Sequence, residues 1–134
     1  AAAFELAEYS DRAQRDATMA NWLQEQGVRL VVCAGYMQLL TPYFLERFPD
    51  RIVNVHPSLL PEFPGARAID DALAAGVETT GVTVHLVDEG LDTGPVIRQE
   101  PVRVQPRETL TQRIRAVEHR LLPEVVNELV RSPR

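Results

Sequence analysis

Two polar side chains close a short apolar segment in a pattern that suits chemistry at a carbonyl group. Asn54 and His56 are two residues apart on an extended segment, so both side chains point to the same face. The amide would stabilise a developing oxyanion, while the imidazole would polarise the carbonyl or move a proton. Asp92, in a later acidic loop, is placed where a carboxylate would hold that imidazole protonated or oriented. An Asn and a His at a strand end are also typical turn formers and hydrogen-bonded packing groups, so the spacing alone leaves both interpretations open.

The other candidate nucleophiles and metal ligands are weaker. Ser58 lacks the Gly-x-Ser-x-Gly turn of serine hydrolases, and Cys33 lies in an apolar strand where a small core residue is expected. His85 lies in the middle of a predicted strand, where we expect a hydrogen-bonded packing residue. His119 stands beside Glu118 on a helix surface that we expect to face solvent. Three scattered histidines and one cysteine give no spacing typical of metal ligands, so we expect no metal site.

The elements that must position these side chains alternate between strands and helices. Apolar runs predict strands at 29–34, 52–55, 80–87 and 96–104, and helical spacing predicts helices at 11–26, 41–48 and 68–75. One apolar stripe predicts a last helix, and it consists of Leu110, Ile114, Val117, Leu121, Val125 and Leu129. The alternation indicates an α/β fold, with an open, mostly parallel sheet flanked by helices, and it is compatible with an antiparallel edge.

Local signals predict where several of these elements begin and end. Ser10 is a candidate N-cap, and the unbroken apolar run 29–34 is typical of a strand covered on both faces. Three prolines in 57–65 exclude helix and inner strand there, while Pro101 predicts an edge strand or a bulge. For the last helix, Thr109 and Gln112 have the spacing of a capping box. Pro123 is expected to kink or divide that helix.

Length and charge limit the class of protein. The 134 residues carry 14 Lys and Arg against 19 Asp and Glu, a formal charge of −5, and their number predicts a single domain over 1–134. The acidic balance disfavours a nucleic-acid partner, since neutralising phosphates needs an excess of basic residues. No apolar run approaches the roughly 20 residues of a membrane helix, so no membrane partner is expected. One cysteine is compatible with a reducing compartment, and we expect a cytoplasmic monomer or homodimer acting on small molecules.

Four sequence blocks resemble those of the folate-dependent formyltransferases and occur in the same order as in that family. They are Ala34-Gly35-Tyr36-Met37, Asn54-Val55-His56-Pro57-Ser58-Leu59-Leu60-Pro61, Thr80-Gly81-Val82-Thr83-Val84-His85 and Asp88-Glu89-Gly90-Leu91-Asp92-Thr93-Gly94-Pro95. The resemblance runs from about Phe4 to Leu129 and implies a formyltransferase-type α/β domain.

The resemblance also implies an activity. The formyl group of 10-formyltetrahydrofolate would pass to the amine of glycinamide ribonucleotide, in de novo purine biosynthesis, by direct attack and without a metal. The positions that match the family's catalytic residues are Asn54, His56 and Asp92. Asn54 and His56 would stabilise the oxyanion, and Asp92 would tune His56 and relay protons.

The same match assigns the binding residues. Positions implied for the folate are Met37, Gln38, Leu39, Leu40, Leu45, Ile52, Asn54, Val87, Asp88, Glu89, Gly90 and Asp92. For the ribonucleotide, Gly35, Met37 and Pro57 would border the substrate, and Glu118 matches the carboxylate that the family places on the ribose hydroxyls.

Three alternatives stay open beside this activity. Methionyl-tRNA formyltransferase normally has Arg-Gly where Pro64-Gly65 stands, and adds a basic domain. Formyltetrahydrofolate hydrolase usually reads His-His-Ser-Phe-Leu-Pro, whereas this chain has His56-Pro57-Ser58-Leu59-Leu60-Pro61. The family also starts with a strand, a Gly-rich turn and a helix that grips the substrate phosphate, and none precedes Ala1. We therefore expect a domain incomplete at its N-terminus, and the third alternative is a folate-binding fragment without turnover.

Overall fold

The computed structural model describes residues 4, 8–33 and 40–131, which form an α/β fold. In chain order the elements are α1 (Arg12–Glu25), β1 (Val31–Cys33), α2 (Pro42–Arg47), β2 (Ile52–His56), α3 (Ala68–Ala75), β3 (Thr79–Leu86), β4 (Val96–Arg103), a 3₁₀ turn (Arg107–Thr109) and α4 (Leu110–Arg131). Each predicted strand and helix is present, with boundaries shifted by one or two residues. None of the helices in these ranges combines the length and the apolar character that crossing a bilayer requires.

The four strands form one mixed sheet in the order β1-β2-β3-β4. β1 and β2 are parallel, while β2 with β3 and β3 with β4 are antiparallel. The predicted antiparallel edge is therefore two strands wide among the described residues. Pro101 on β4 lies opposite Gly81 on β3. Among the described residues β4 pairs only with β3, so the amide that proline lacks is not needed to bind a strand on the other side.

Helices cover both faces of the sheet because neighbouring strand residues point to opposite sides. Val53 belongs to a core that the apolar stripe of α4 fills, whereas Ile52 packs with Phe44 and Ala20 from α2 and α1. The four most buried members of the stripe are Leu110, Ile114, Leu121 and Val125. The two layers fix the orientation of β2, and with it the direction in which the polar residues of that strand point.

The structure corrects two local predictions and narrows a third. Asp11, not Ser10, caps α1 by accepting from the amide of Gln14, because a carboxylate satisfies that orphan donor directly. The capping box at Thr109 does not form, since the chain first makes a 3₁₀ turn and the Thr109 hydroxyl bonds to the carbonyl of Pro106. α4 continues through Pro123, so the helix is not divided there.

The expectation that the first strand is covered on both faces is also wrong. β1 pairs only with β2 among the described residues, and the Val32 side chain is 41% exposed. An apolar run alone does not reveal which of its residues meets a neighbour, because that depends on the element packed outside the strand.

Candidate active site

The site begins at the carboxyl end of β2, which lies between β1 and β3. Asn54 is half-buried and His56 is buried, and they alternate with the buried apolar residues Val53 and Val55. Directly opposite Asn54 on β3 stands His85, so the two side chains share one face of the sheet. Pro57 is half-buried and ends the strand. The predicted same-face placement of an amide and an imidazole is thus extended by a second imidazole.

Asp92 joins this face from the loop between β3 and β4. Its Oδ1 lies 3.5 Å from Nδ1 of His56 and 3.9 Å from Nε2 of His85, and its side chain is only 7% exposed. Its Oδ2 accepts a hydrogen bond of 2.7 Å from the amide of Gly65. A carboxylate and two imidazoles are therefore held together with little access to water, where charges interact more strongly than at the surface.

The hydrogen bonds of the two imidazoles assign their protons. Nε2 of His56 lies 2.8 Å from the carbonyl oxygen of Phe63, and Nδ1 of His85 lies 2.9 Å from that of Leu86. A carbonyl oxygen only accepts, so a proton is assigned to Nε2 of His56 and to Nδ1 of His85. Nε2 of His85 is buried without a hydrogen-bond partner among the described residues. Such an orphaned polar atom beside Asp92 marks a place where water or a ligand atom would be bound.

Backbone geometry in the acidic loop is what puts Asp92 in place. Asp92 has φ 57, the left-handed conformation that few residues other than glycine, asparagine and aspartate adopt readily. Two residues later, a Cβ on Gly94 would lie 1.7 Å from the carbonyl oxygen of Leu86, so only glycine fits. Asp88 accepts from the amide of Gly90 and the hydroxyl of Thr93, which stabilises the first half of the loop.

A hydroxyl network holds the segment that follows His56. Thr83 donates to the carbonyl of Ser58 at 2.7 Å and accepts from the amide of Leu60 at 3.1 Å. Gln99 donates to the carbonyl of Leu60 and to the Thr83 hydroxyl. Ser58 itself donates to the carbonyl of Glu62, which agrees with the interpretation that it is no hydrolase nucleophile. β3 and β4 thus orient the turn that carries the Phe63 carbonyl to His56.

Several of the predicted folate residues form one apolar cluster beside these groups. Leu40 and Ile52 are buried, and Leu45 and Val87 pack on the same cluster as partly buried residues. Glu89 is exposed in the loop below. The predicted residues Gly35, Met37, Gln38 and Leu39, together with Ala34, lie outside the described part of the chain.

Burial affects two further titratable groups. Burial raises the pKa of Glu118 on α4, and its electrostatic interactions with His119, Arg115 and His56 work in the opposite direction. Glu118 is therefore within electrostatic reach of His56, while His119 is exposed. Burial raises the pKa of the Cys33 thiol to about 11, which suits a packing residue rather than a nucleophile.

Sequence reasoning missed the place of His85 in the cluster. Its Nδ1 does bond to the backbone, as a packing residue would, but its other nitrogen faces Asp92. The signal that would have found it is the antiparallel register, which pairs it with Asn54. In the described ranges, no group of three or more His, Cys, Asp or Glu side chains is arranged to hold a metal ion.

Comparison with known proteins gives consistent matches. A family model described as formyl transferase matches residues 1–126. Phosphoribosylglycinamide formyltransferase of Bacillus subtilis is 41% identical over 131 residues, which are 96% of this chain and 67% of that protein. The same-named protein of Mycobacterium tuberculosis is 47% identical over 127 residues, which are 92% of this chain and 59% of that protein. The chain thus spans about three-fifths to two-thirds of these relatives.

Solved structures give the same match. The phosphoribosylglycinamide formyltransferase of Bacillus halodurans superposes with a TM-score of 0.93 at 45% identity, covering 99% of this chain and 70% of the other. That of Streptococcus pneumoniae superposes with a TM-score of 0.91 at 45% identity, covering 96% and 73%.

Proposed function

The chain belongs to the formyl transferase family, and we propose that it transfers a formyl group from 10-formyltetrahydrofolate to the amine of glycinamide ribonucleotide. The observation that carries this proposal is the convergence of Asn54, His56 and Asp92 at the carboxyl end of β2. The relatives named phosphoribosylglycinamide formyltransferase support the choice of acceptor over the tRNA and hydrolytic alternatives. A cytoplasmic location, a monomeric or homodimeric state and a role in purine biosynthesis belong to the same proposal.

The chemistry required is attack of an amine on a formyl carbon, which leaves a negative charge on the formyl oxygen. Asn54 donates to that oxygen through its amide. His56 donates the Nε2 proton that the Phe63 carbonyl accepts in this structure, so the formyl oxygen takes the place of that carbonyl. Fixed donors at a developing oxyanion typically contribute about 3–4 kcal/mol each to the barrier reduction.

Asp92 acts on the proton that the attacking amine must lose. Its Oδ1 faces Nδ1 of His56 and stabilises the imidazolium that forms when His56 takes up a proton. The amide of Gly65 holds Oδ2, so the carboxylate keeps its orientation while the charge on the imidazole changes. The amine's proton passes through water to this pair and from there to the folate nitrogen, while the bond between that nitrogen and the formyl carbon breaks and the carbonyl group forms again.

The residues beside the cluster fit a folate. The apolar cluster with Leu40, Leu45 and Val87 offers a wall for a ring system, and the loop backbone from Val87 to Asp92 offers polar groups to its edge. Glu118, half-buried on α4, would contact the ribose hydroxyls. When bound, 10-formyltetrahydrofolate supplies the formyl group, and every other step uses side chains of this chain.

Turnover is tested by mixing the 134-residue protein with a formyl-folate analogue and glycinamide ribonucleotide and following the deformylated folate. We expect His56→Ala to reduce transfer by about two to three powers of ten, because one oxyanion donor is lost. His119→Ala, an exposed histidine on α4, is the matched control and should retain activity. Near-normal transfer by His56→Ala would contradict the proposed role.

The alternative function is binding of folate without turnover. Calorimetry separates the two functions. Folate binding without ribonucleotide binding, together with an absence of turnover, would support the alternative, whereas binding of both ligands with turnover supports the transferase.

A further inference from the structure

A cavity lies at the edge of the sheet away from the proposed catalytic groups. It has a volume of about 320 Å³ and is lined by Val28, Arg29, Arg47, Phe48, Pro49 and Arg51. Arg29 and Arg51 precede β1 and β2, whereas Asn54 and His56 lie at the far end of β2. Five residues of extended chain separate Arg51 from His56, roughly 16 Å. The cavity is therefore separate from Asn54 and His56, and Phe48 in its lining belongs to the apolar cluster that also holds Leu45 and Ile52.

Three arginines line this cavity, and none of them forms an ion pair within the described part of the chain. Among the residues that the structure describes, no carboxylate lies within ion-pair distance of Arg29, Arg47 or Arg51. By contrast, Arg98 and Arg120 pair with glutamates. In a chain with a formal charge of −5, three unneutralised cations around one cavity create a local field that attracts anions.

Two of the three guanidinium groups are held in place. Nη1 of Arg51 donates to the carbonyl oxygen of Leu129 at 3.2 Å, which ties the side chain to the end of α4. The guanidinium of Arg47 lies over the ring of Tyr43, 4.0 Å from its centroid. Side chains that are ordered before a ligand arrives lose less entropy when it binds, so these contacts favour a binding site over a merely solvated surface.

The lining indicates what kind of anion fits. A carboxylate carries one charge and two oxygens, which one guanidinium can satisfy in a bidentate manner. A phosphate monoester carries close to two charges and three free oxygens, enough to engage three guanidiniums at once. Val28 and Pro49 add accessible apolar surface beside them, whereas Phe48 is only 4% exposed. We propose that this cavity binds a small organic phosphate monoester, with the phosphate on the three arginines and the organic part on the apolar side.

The proposal is tested by titrating the full chain at about pH 8, where phosphate monoesters are dianions, and following its backbone amide resonances. The probes are phenyl phosphate, inorganic phosphate and benzoate. We expect phenyl phosphate to bind most tightly and benzoate most weakly, with shifts centred on residues 28–29 and 47–51. The double variant Arg29→Gln/Arg47→Gln should weaken phenyl phosphate by at least about tenfold.

Two comparisons make the test decisive. Arg51→Gln removes the third cation but also a contact to Leu129, so the double variant, which leaves that contact in place, carries the conclusion. Arg120→Gln, on a surface arginine paired with Glu100, is the matched control and should bind as the parent protein does. The proposal is overturned if the double variant binds phenyl phosphate unchanged, if benzoate binds as tightly as phenyl phosphate, or if the shifts fall only on residues 54–58 and 85–92.

Discussion

Acidic and basic side chains meet at several places among the described residues, and two of these places differ strongly in burial. In the proposed active site, His56 and Asp92 lie 3.5 Å apart with side chains 5% and 7% exposed. On the outer surface of α4 and β4, Arg98 pairs with Glu124 and Glu128, and these side chains are between 34% and 54% exposed.

The difference shows what a buried pair requires. The surface pairs need only two long side chains within reach of each other, and such pairs contribute about 0–1 kcal/mol. The buried pair depends on the left-handed backbone of Asp92 and on a glycine at position 94. It also depends on two hydrogen bonds, one from the amide of Gly65 to Asp92 and one from His56 to the carbonyl oxygen of Phe63. Chemistry is therefore to be expected where the backbone has been arranged to hold a charge away from water.

The largest effect should follow from removing the buried charge. Asp92→Asn keeps a side chain that tolerates the left-handed backbone and still accepts from Gly65, so folding should be unaffected. We expect formyl transfer to fall by about two to three powers of ten, because the imidazolium of His56 loses its counter-charge. Steady-state rates and a thermal melt measure both properties.

The surface region supplies the control for this variant. Glu128→Gln breaks a pair of the same chemical type on the exposed face of α4 and should leave both rate and melting behaviour nearly unchanged. If Asp92→Asn and Glu128→Gln had equal rates, the buried pair would have no special role and the comparison would fail.

A smaller effect, on stability rather than on rate, is expected from the inner face of the same helix. Ile114 is fully buried in the core that α4 forms with the sheet. Ile114→Ala should lower the free energy of unfolding by about 2–5 kcal/mol, through lost apolar burial and the cavity left behind. Urea denaturation monitored by circular dichroism gives the value, and an unchanged midpoint would show that this face does not support the fold.

The smallest effect concerns Glu118, which is half-buried and stands between the two regions in exposure. Burial raises its pKa in the folded state, so folding disfavours its ionised form. The stability it contributes is present below the unfolded-state pKa, near 4, and is lost as pH rises through the folded-state pKa. Glu118→Gln should therefore be slightly more stable than the parent above that range, by less than about 1 kcal/mol, and equal to it below. Unfolding curves at several pH values test this, and a parent protein that gained stability over the variant with rising pH would reverse the assignment.

Local signals made most of the fold predictable. Thr41-Pro42 starts α2 and Gly76 ends α3, in a left-handed conformation, because these residue types act on the backbone beside them. The predicted helix caps at Ser10 and Thr109 were wrong. Asp11 caps α1 instead, and the Thr109 hydroxyl bonds to the carbonyl of Pro106, and residue spacing does not show which of such competing hydrogen bonds will form.

In the site, Asn54 and His56 could be placed on one face from period-two alternation alone. The role of His85 depends on antiparallel register, and the contact of His56 with the Phe63 carbonyl depends on a turn bridged to Thr83. Such tertiary pairings join residues far apart in the chain, which local patterns do not encode.

The left-handed backbone at Asp92 limits how this position can evolve. Its conformation admits mainly aspartate, asparagine and glycine, while its contact with His56 asks for a carboxylate. Glutamate, the usual acidic replacement, meets the charge requirement but not the conformational one. Of the twenty amino acids, aspartate alone satisfies both requirements. No substitution by a similar residue therefore keeps both the backbone conformation and the carboxylate at this position.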